Sequence, residues 1–309
     1  MINNYTFKKL IGSGSFGQIY LAYDKINLTT VAIKKIPIKD FKKSTIDMIL
    51  TEIKIGYYHN CKYIAKVKNF FLNDKIIYIV MDYFPNSDLS KFKKKRSFIK
   101  DERKNFILSI VLGIQYLHIN KVIHRDIKLD NILVGDNIAL LTDFGTCRIL
   151  PENKYFTSTC IGTPYYLSPE VISGDKYNTK VDIYSLGCVF CEMYYNKLPF
   201  NADNINALYK NIIQSKKNVF IDKTTKIGKL VNCMIDKDSF NRPLIDEVIV
   251  SLGEIYNLNN YNTYKKDNEF YNNLRKNTAI PKNYNELNLL LQKIKSSKNI
   301  INNLNVPAN

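Results

Sequence analysis

The chain has 309 residues, 45% of them hydrophobic, which is enough to build a real core and excludes a disordered protein. Its 45 Lys and Arg against 28 Asp and Glu give a formal net charge of +17, a balance that ordinarily raises nucleic acid or acidic membrane as a partner. Lys, Asn, Ile and Tyr are abundant throughout and Trp is absent, so the charge reads as the composition of AT-rich codons, and neither a specific nucleic acid nor a membrane is expected.

Even the densest basic cluster, KFKKKR from Lys91 to Arg96, falls in a surface segment. No apolar segment follows the start MINNYTFKK, and no run of about 18 apolar residues occurs, so a soluble intracellular protein of the cytoplasm or nucleus is expected. Cys61, Cys147, Cys160, Cys188, Cys191 and Cys233 lack paired metal-ligand spacing and read as reduced thiols.

Residues 5–35 alternate apolar and polar positions around a glycine-rich turn and end in TVAIKKI, which predicts a small sheet. STIDMILTEIKIGYY predicts a helix, and KIIYIVMDY a short strand leading into the polar FPNSD. From Phe106 onward, Ile107, Ile110, Val111, Ile114 and Leu117 recur at helical spacing. ILVGDNIALL reads as a hairpin turning at GDN, and VDIYSLGCVFCEMYY as a helix buried on nearly all sides.

Strands come first and helices follow, with MDYFPNSD at the changeover, an order that predicts two lobes and a ligand cleft between them. After about Leu252 the chain becomes rich in Asn and reads as a linker or surface extension. Within it Leu287, Leu290, Leu291 and Ile294 make one amphipathic face, a short helix near 284–297 expected to dock onto the lobe.

Two stretches carry chemistry. Gly12, Gly14 and Gly17 stand at G-x-G-x-x-G spacing, but QIYLAYD continues as a strand where a dinucleotide fold would open a helix. Glycines at a hairpin tip let backbone amides approach phosphate oxygens. The strand VAIK then ends in Lys34, a cation that needs an anionic partner inside a sheet. HRDIKLDN, His124 to Asn131, packs two carboxylates, two cations, an imidazole and an amide between apolar runs. Taken alone, it is either a catalytic loop or a polar turn pairing off its own charges.

With DFG at 143–145, SPE at 168–170, DIYSLG at 182–187 and NRP at 241–243 in the same order, residues 4–252 resemble the eukaryotic-type protein kinase superfamily, serine/threonine branch. The resemblance implies an α+β bilobal kinase fold. An antiparallel N-terminal sheet lobe with one main helix spans 4–83, a larger helical lobe spans 84–252, and an Asn/Lys-rich extension spans 253–309. It implies transfer of the γ-phosphoryl group of Mg-ATP, with manganese as an alternative ion, to Ser or Thr hydroxyls of protein substrates. A monomer is expected, regulated by an upstream kinase or an activating partner. The rival class is a pseudokinase that signals by conformation.

By resemblance, Lys34 grips the α- and β-phosphates and is oriented by Glu52, in preference to the shorter Asp47. Asp143 and Asn131 hold metal, Asp126 accepts the proton of the attacking hydroxyl, and Lys128 neutralises the transferring group. Lys128, two residues after Asp126, resembles the serine/threonine branch, and Leu129 replaces a common proline without touching a catalytic role. Met81 is the gatekeeper, Asp82 and Phe84 offer backbone groups to adenine, and Ile19, Ala32 and Leu133 sandwich it, with Ile11, Gly12, Gly14, Gly17 and Asp88 completing the nucleotide set. Asp88 and Asp130 also fall where relatives bind basic residues of the substrate, and Thr146 resembles a choice that favours threonine acceptors.

The segment between Asp143 and Glu170 offers hydroxyls at Thr157, Ser158, Thr159 and Thr163. Because GTPYYLSPE resembles the NIMA-related kinases, Thr159 is the expected phosphorylation site, read by Arg125, while Thr163 contacts Asp126 and Lys128. Glu170 and Arg242 resemble a buried pair tying the segment down, and Tyr184 fills a slot often held by Trp. Gly56, four residues after Glu52, stands where relatives carry a leucine-like bridge. The expectation is a loosely placed helix, and Gly56→Leu would then raise basal activity.

Overall fold

Apolar alternation around the glycine turn folds into β1 (Tyr5–Gly14), β2 (Gly17–Asp24) and β3 (Thr29–Pro37), joined by β4 (Val67–Asn73) and β5 (Ile76–Asp82). The computed structural model describes all residues except 15–16, 39–41, 151–155, 158, 160, 218, 220, 259–284 and 305–309, so the candidate Ser158 and Cys160 lie outside the described residues. The chain divides into two units, Met1–Asn60 with Ala65–Phe84 and Ala279–Asn309, and Cys61–Ile64 with Pro85–Thr278. Among the described residues no helix is long and apolar enough to cross a membrane.

In the first unit the five strands pair antiparallel in the order β1-β2-β3-β5-β4. Strand side chains alternate faces, so Ile36, Ile38, Ile77 and Ile79 bury one side and Val31, Ile33, Tyr78 and Val80 the other. The continuous apolar run of β5 follows from burial on both faces. Lys34 is two residues before Ile36 and therefore shares its face, the side that helix α1 (Lys43–Tyr58) covers. At the start of β2 a Cβ on Gly17 would collide with the Lys35 carbonyl, so this glycine is required by strand pairing.

Helix α1 has neither a side-chain N-cap nor an acidic first turn, and the face it turns to the sheet is made of Ile46, Ile49 and Ile53. Packing rather than propensity holds it. The C-terminal helix, Asn285–Leu304, joins the same cluster through Leu287, Leu290 and Ile294. Gly56 corrects the sequence expectation: a Val67 methyl fills the space in front of it, so the glycine admits β4 rather than leaving a gap. No room remains for a leucine there without displacement of Val67, which removes the reason to expect Gly56→Leu to activate.

The second unit contains α2 (Leu89–Lys95), α3 (Lys100–Ile119), α4 (Pro169–Ile172), α5 (Lys180–Tyr195), α6 (Ile205–Ile213), α7 (Lys226–Met234) and α8 (Ile245–Ile255). Between α3 and α4 lie the short pairs β6 (Val122–Ile123) with β9 (Arg148–Ile149), and β7 (Ile132–Val134) with β8 (Ala139–Leu141). The β7–β8 turn has Asn137 at φ 57°, a left-handed position that asparagine tolerates well. Helix α5 is buried from Val181 to Cys191 and packs against α7, while α3 packs against β8 and α8.

Candidate active site

In the first unit, Lys34 Nζ donates to both carboxylate oxygens of Glu52, at 2.8 and 2.7 Å. Both residues are nearly inaccessible, and each charge offsets the desolvation cost of the other. Asp47 is exposed on the opposite side of α1 and takes no part in this pair. Ala32 and Met81 stand opposite each other in the β3–β5 register, Val31 opposite Asp82, and Gly12 opposite Ile19 in β1–β2. The Asp82 carboxylate pairs with Lys68 at 2.8 Å, which leaves its backbone groups as what it offers a ligand. Ile11, Gly12, Ile19, Met81, Asp82 and Phe84 are all partly accessible, and Gly14 closes the β1–β2 pairing opposite Gly17.

In the second unit, Asp126 is the hub of the loop between β6 and β7. Its Oδ1 accepts from the Thr163 amide at 3.0 Å and hydroxyl at 2.7 Å, and its Oδ2 from Asn131 Nδ2 at 2.8 Å and Lys128 Nζ at 2.9 Å. Lys128 Nζ also donates to Thr163 Oγ1 at 2.5 Å, closing a ring of three side chains. Burial pushes the Asp126 carboxyl up. The Lys128 and Thr163 hydrogen bonds, together with the Lys128 charge, outweigh it and hold the group below the ordinary carboxylate value.

Asn131 donates again to the Asp126 carbonyl at 2.9 Å, and its Oδ1 accepts nothing among the described residues. Asp143 sits at φ 62° in the left-handed region, half buried, and its carboxylate has no partner among the described residues. Two hard oxygen donors left free in this way fit a divalent cation whose other ligands are phosphate oxygens and water, the arrangement magnesium prefers. No group of three or more His, Cys, Asp or Glu side chains forms a complete metal cage among the described residues.

Arg125 adopts φ 70° and fans its guanidinium over the segment that follows Asp143. Nε donates to the Thr146 carbonyl at 2.6 Å, Nη2 to the Cys147 carbonyl at 3.3 Å, and Nη1 to the Thr159 hydroxyl. The Tyr177 hydroxyl donates to the Thr159 carbonyl at 2.6 Å. His124 packs its ring edge-on against Phe144 at 5.7 Å, and its carbonyl accepts from the Thr146 hydroxyl at 3.1 Å. Asp88 caps α2 by accepting from the Lys91 amide at 2.8 Å and pairs with Lys91 Nζ at 3.0 Å, while Leu133 bridges to it backbone to backbone.

Two residues of this site carried no role in the sequence. Asp182, fully buried, accepts from the amides of His124 and Arg125, both at 2.9 Å, and contacts His118 Nε2 at 2.8 Å. Burial raises its pKa, and the His118 hydrogen bond and charge lead the contacts that bring it below the ordinary value. The signal was a carboxylate in the first turn of a helix otherwise apolar all round, which has to find donors. Tyr177 belongs to no motif, and nothing in the sequence separates it from the other 21 tyrosines.

Arg242, also fully buried, grips Glu170 bidentately at 2.6 and 2.8 Å and lies over the Tyr184 ring at 4.9 Å. The Tyr184 hydroxyl is buried without a partner among the described residues, the cost of a tyrosine in that slot.

A protein kinase domain family model matches residues 5–251. The chain is similar to serine/threonine-protein kinase Nek5 of Mus musculus, 34% identical over 220 residues, which cover 70% of this chain and 34% of the relative. Nek5 of Homo sapiens is 34% identical over 259 residues, covering 80% and 36%. Nek3 of Mus musculus is 33% identical over 249 residues, covering 78% and 48%. The chain spans about a third to a half of the length of these curated relatives.

Proposed function

The chain belongs to the protein kinase domain family, and we propose that it is an active serine/threonine kinase that transfers the γ-phosphoryl group of ATP to protein hydroxyls. The observation that carries the proposal is the ring of Asp126, Lys128 and Thr163, which holds a carboxylate ionised beside a cation. Ionised, the carboxylate can orient the acceptor hydroxyl by accepting its hydrogen bond, and takes its proton as that oxygen bonds to the γ-phosphorus and ADP departs. Lys128 offsets the charge of the group in transit.

Lys34, held by Glu52, binds the nucleotide's α- and β-phosphates. Asn131 and Asp143 are the protein ligands of magnesium, for which manganese can substitute. When bound, the ion neutralises phosphate charge. Met81, Asp82, Phe84, Ile11, Ile19, Ala32 and Leu133 receive the adenine, and the turn of Gly12, Gly14 and Gly17 follows the phosphates. Thr159 is the phosphorylation site and Arg125 its reader, with an upstream kinase or the chain itself supplying the phosphate. Asp88, which caps α2 and bridges Leu133 through its backbone, completes the nucleotide set.

The working unit is a monomer of the cytoplasm or nucleus. What supports a reducing compartment is that no disulfide links cysteines among the described residues. A pseudokinase is disfavoured, because Gly56, the one feature in its favour, is accounted for by Val67.

The deciding experiment is a degenerate peptide array with radiolabelled ATP and magnesium, run on the full chain and on Asp126→Asn. Label on Ser or Thr peptides from the first and none from the second is expected. Equal signal from both would remove the assignment.

A further inference from the structure

Helix α1 is poorly equipped to hold its own position. It lacks a side-chain cap, the face it turns to the sheet is three β-branched isoleucines, and Gly56 lies near its end. The sheet supports it from one side through Val67, Phe70, Ile77 and Ile79. The C-terminal helix joins the same cluster, adding Leu287, Leu290 and Ile294, with Leu291 at the margin. Ile294 is completely buried and Leu290 is 4% exposed, so these are core positions rather than a surface brush. Burial, with the Glu286 carboxylate of the C-terminal helix's first turn adding to it, pushes the Tyr57 hydroxyl of α1 above its ordinary pKa.

Glu52 sits on α1 between Ile49 and Ile53, two of the residues in that shared cluster. Its carboxylate must meet Lys34 within hydrogen-bond reach, so any shift of α1 is felt directly in the pair. We propose that the C-terminal helix is a positioning element for Glu52, seating α1 so that the Lys34–Glu52 pair forms, with Leu290 and Ile294 as its anchors. This rests on Lys34 and Glu52 being the catalytic pair assigned above. The helix touches no reacting group. It acts through α1.

The test compares the full chain with Leu290→Asp/Ile294→Asp and with the conservative Leu290→Met/Ile294→Leu. The acidic pair is expected to lower kcat by about tenfold or more, the conservative pair by less than about twofold. Amide exchange across α1 should accelerate in the acidic variant while exchange in α5 stays as in the parent chain. A synthetic peptide of residues 285–304 added in trans should restore both kcat and protection. Should the acidic pair aggregate, Leu290→Ala reads the same two quantities with a smaller loss.

A parent-like kcat in the acidic variant or in Leu290→Ala, whether or not α1 exchanges faster, would overturn the proposal, since a merely structural helix lowers stability and leaves kcat alone. Asp126→Asn runs beside them. If it matches the parent chain, the assigned activity fails, and the exchange data alone still report whether the helix seats α1.

Discussion

Arg125 donates from Nη1 to the Thr159 hydroxyl at 2.5 Å while its other guanidinium nitrogens are committed to the Thr146 and Cys147 carbonyls. A phosphate on Thr159 would therefore meet a guanidinium already held in place, and a charge-assisted bond of this type contributes about 1.5–3 kcal/mol. Protein incubated with ATP is expected to carry phosphate on Thr159. Thr159→Ala and Arg125→Lys should each lower turnover by about tenfold, the second without loss of the phosphate. Fragment spectra of fully active protein with no phosphate between Cys147 and Cys160 would count against it.

Val67 and Gly56 supply the second prediction. A Cβ on Gly56 would stand 2.5 Å from Val67 Cγ2, and a short branched side chain cannot swing aside. Gly56→Leu should cost about 1–3 kcal/mol by overpacking, more than the roughly 1 kcal/mol gained in helix propensity, and should lower activity rather than raise it. In urea melts, Gly56→Ala should destabilise the parent but not Val67→Ala. Equal effects in the two backgrounds would show that the two residues do not interfere.

His59 follows α1 and is buried, and burial pushes its imidazole from 6.5 down to about 4, with the Lys54 charge adding to the effect. The folded state keeps it neutral, while the unfolded state takes up a proton as pH falls through 6.5. Stability is therefore lost on going from pH 6.5 to about 4, by about 3 kcal/mol in all. His59→Gln should flatten this acid limb in urea melts at pH 7, 5.5 and 4.5. An unchanged slope would mean that another group sets it.

Asp182→Asn keeps the shape of the side chain but replaces one acceptor with an NH2 that faces an N–H donor. An unmet buried donor costs about 1–3 kcal/mol, and here the donors are the amides of His124 and Arg125, next to Asp126. The variant is expected to lose at least about tenfold in kcat with its ATP KM little changed. Loss in KM alone would place the effect at the nucleotide instead of the loop.

The sequence disclosed the site through short-range order. The resemblance carried by the ordered motifs named Asp126, Asn131 and Asp143, and a cation at the end of an apolar strand already called for an anionic partner at Lys34. Contacts brought together from distant stretches stayed hidden. Val67, which explains Gly56, arrives on a different strand, and the stripe of Leu287, Leu290, Leu291 and Ile294 announced an amphipathic helix without saying what it would cover. Gly17 misled in a gentler way, since a glycine read for phosphate access is also demanded by the neighbouring Lys35 carbonyl. For Asp88 a second task, as the cap of α2, was not legible, because a helix cap and a binding carboxylate use the same residue type at a loop end.

Because the first unit is assembled from both ends of the chain, its biosynthesis has an order. When Ile46, Ile49 and Ile53 leave the ribosome, β4 and β5 follow soon after, but the last residues of their cluster, Leu287, Leu290 and Ile294, are about 240 positions away, roughly 12–48 s of synthesis at ordinary elongation rates. The nascent chain carries a partly covered isoleucine stripe for that interval, during which the whole second unit is made. A ribosome that stops before Leu287 leaves that stripe for chaperones to hold.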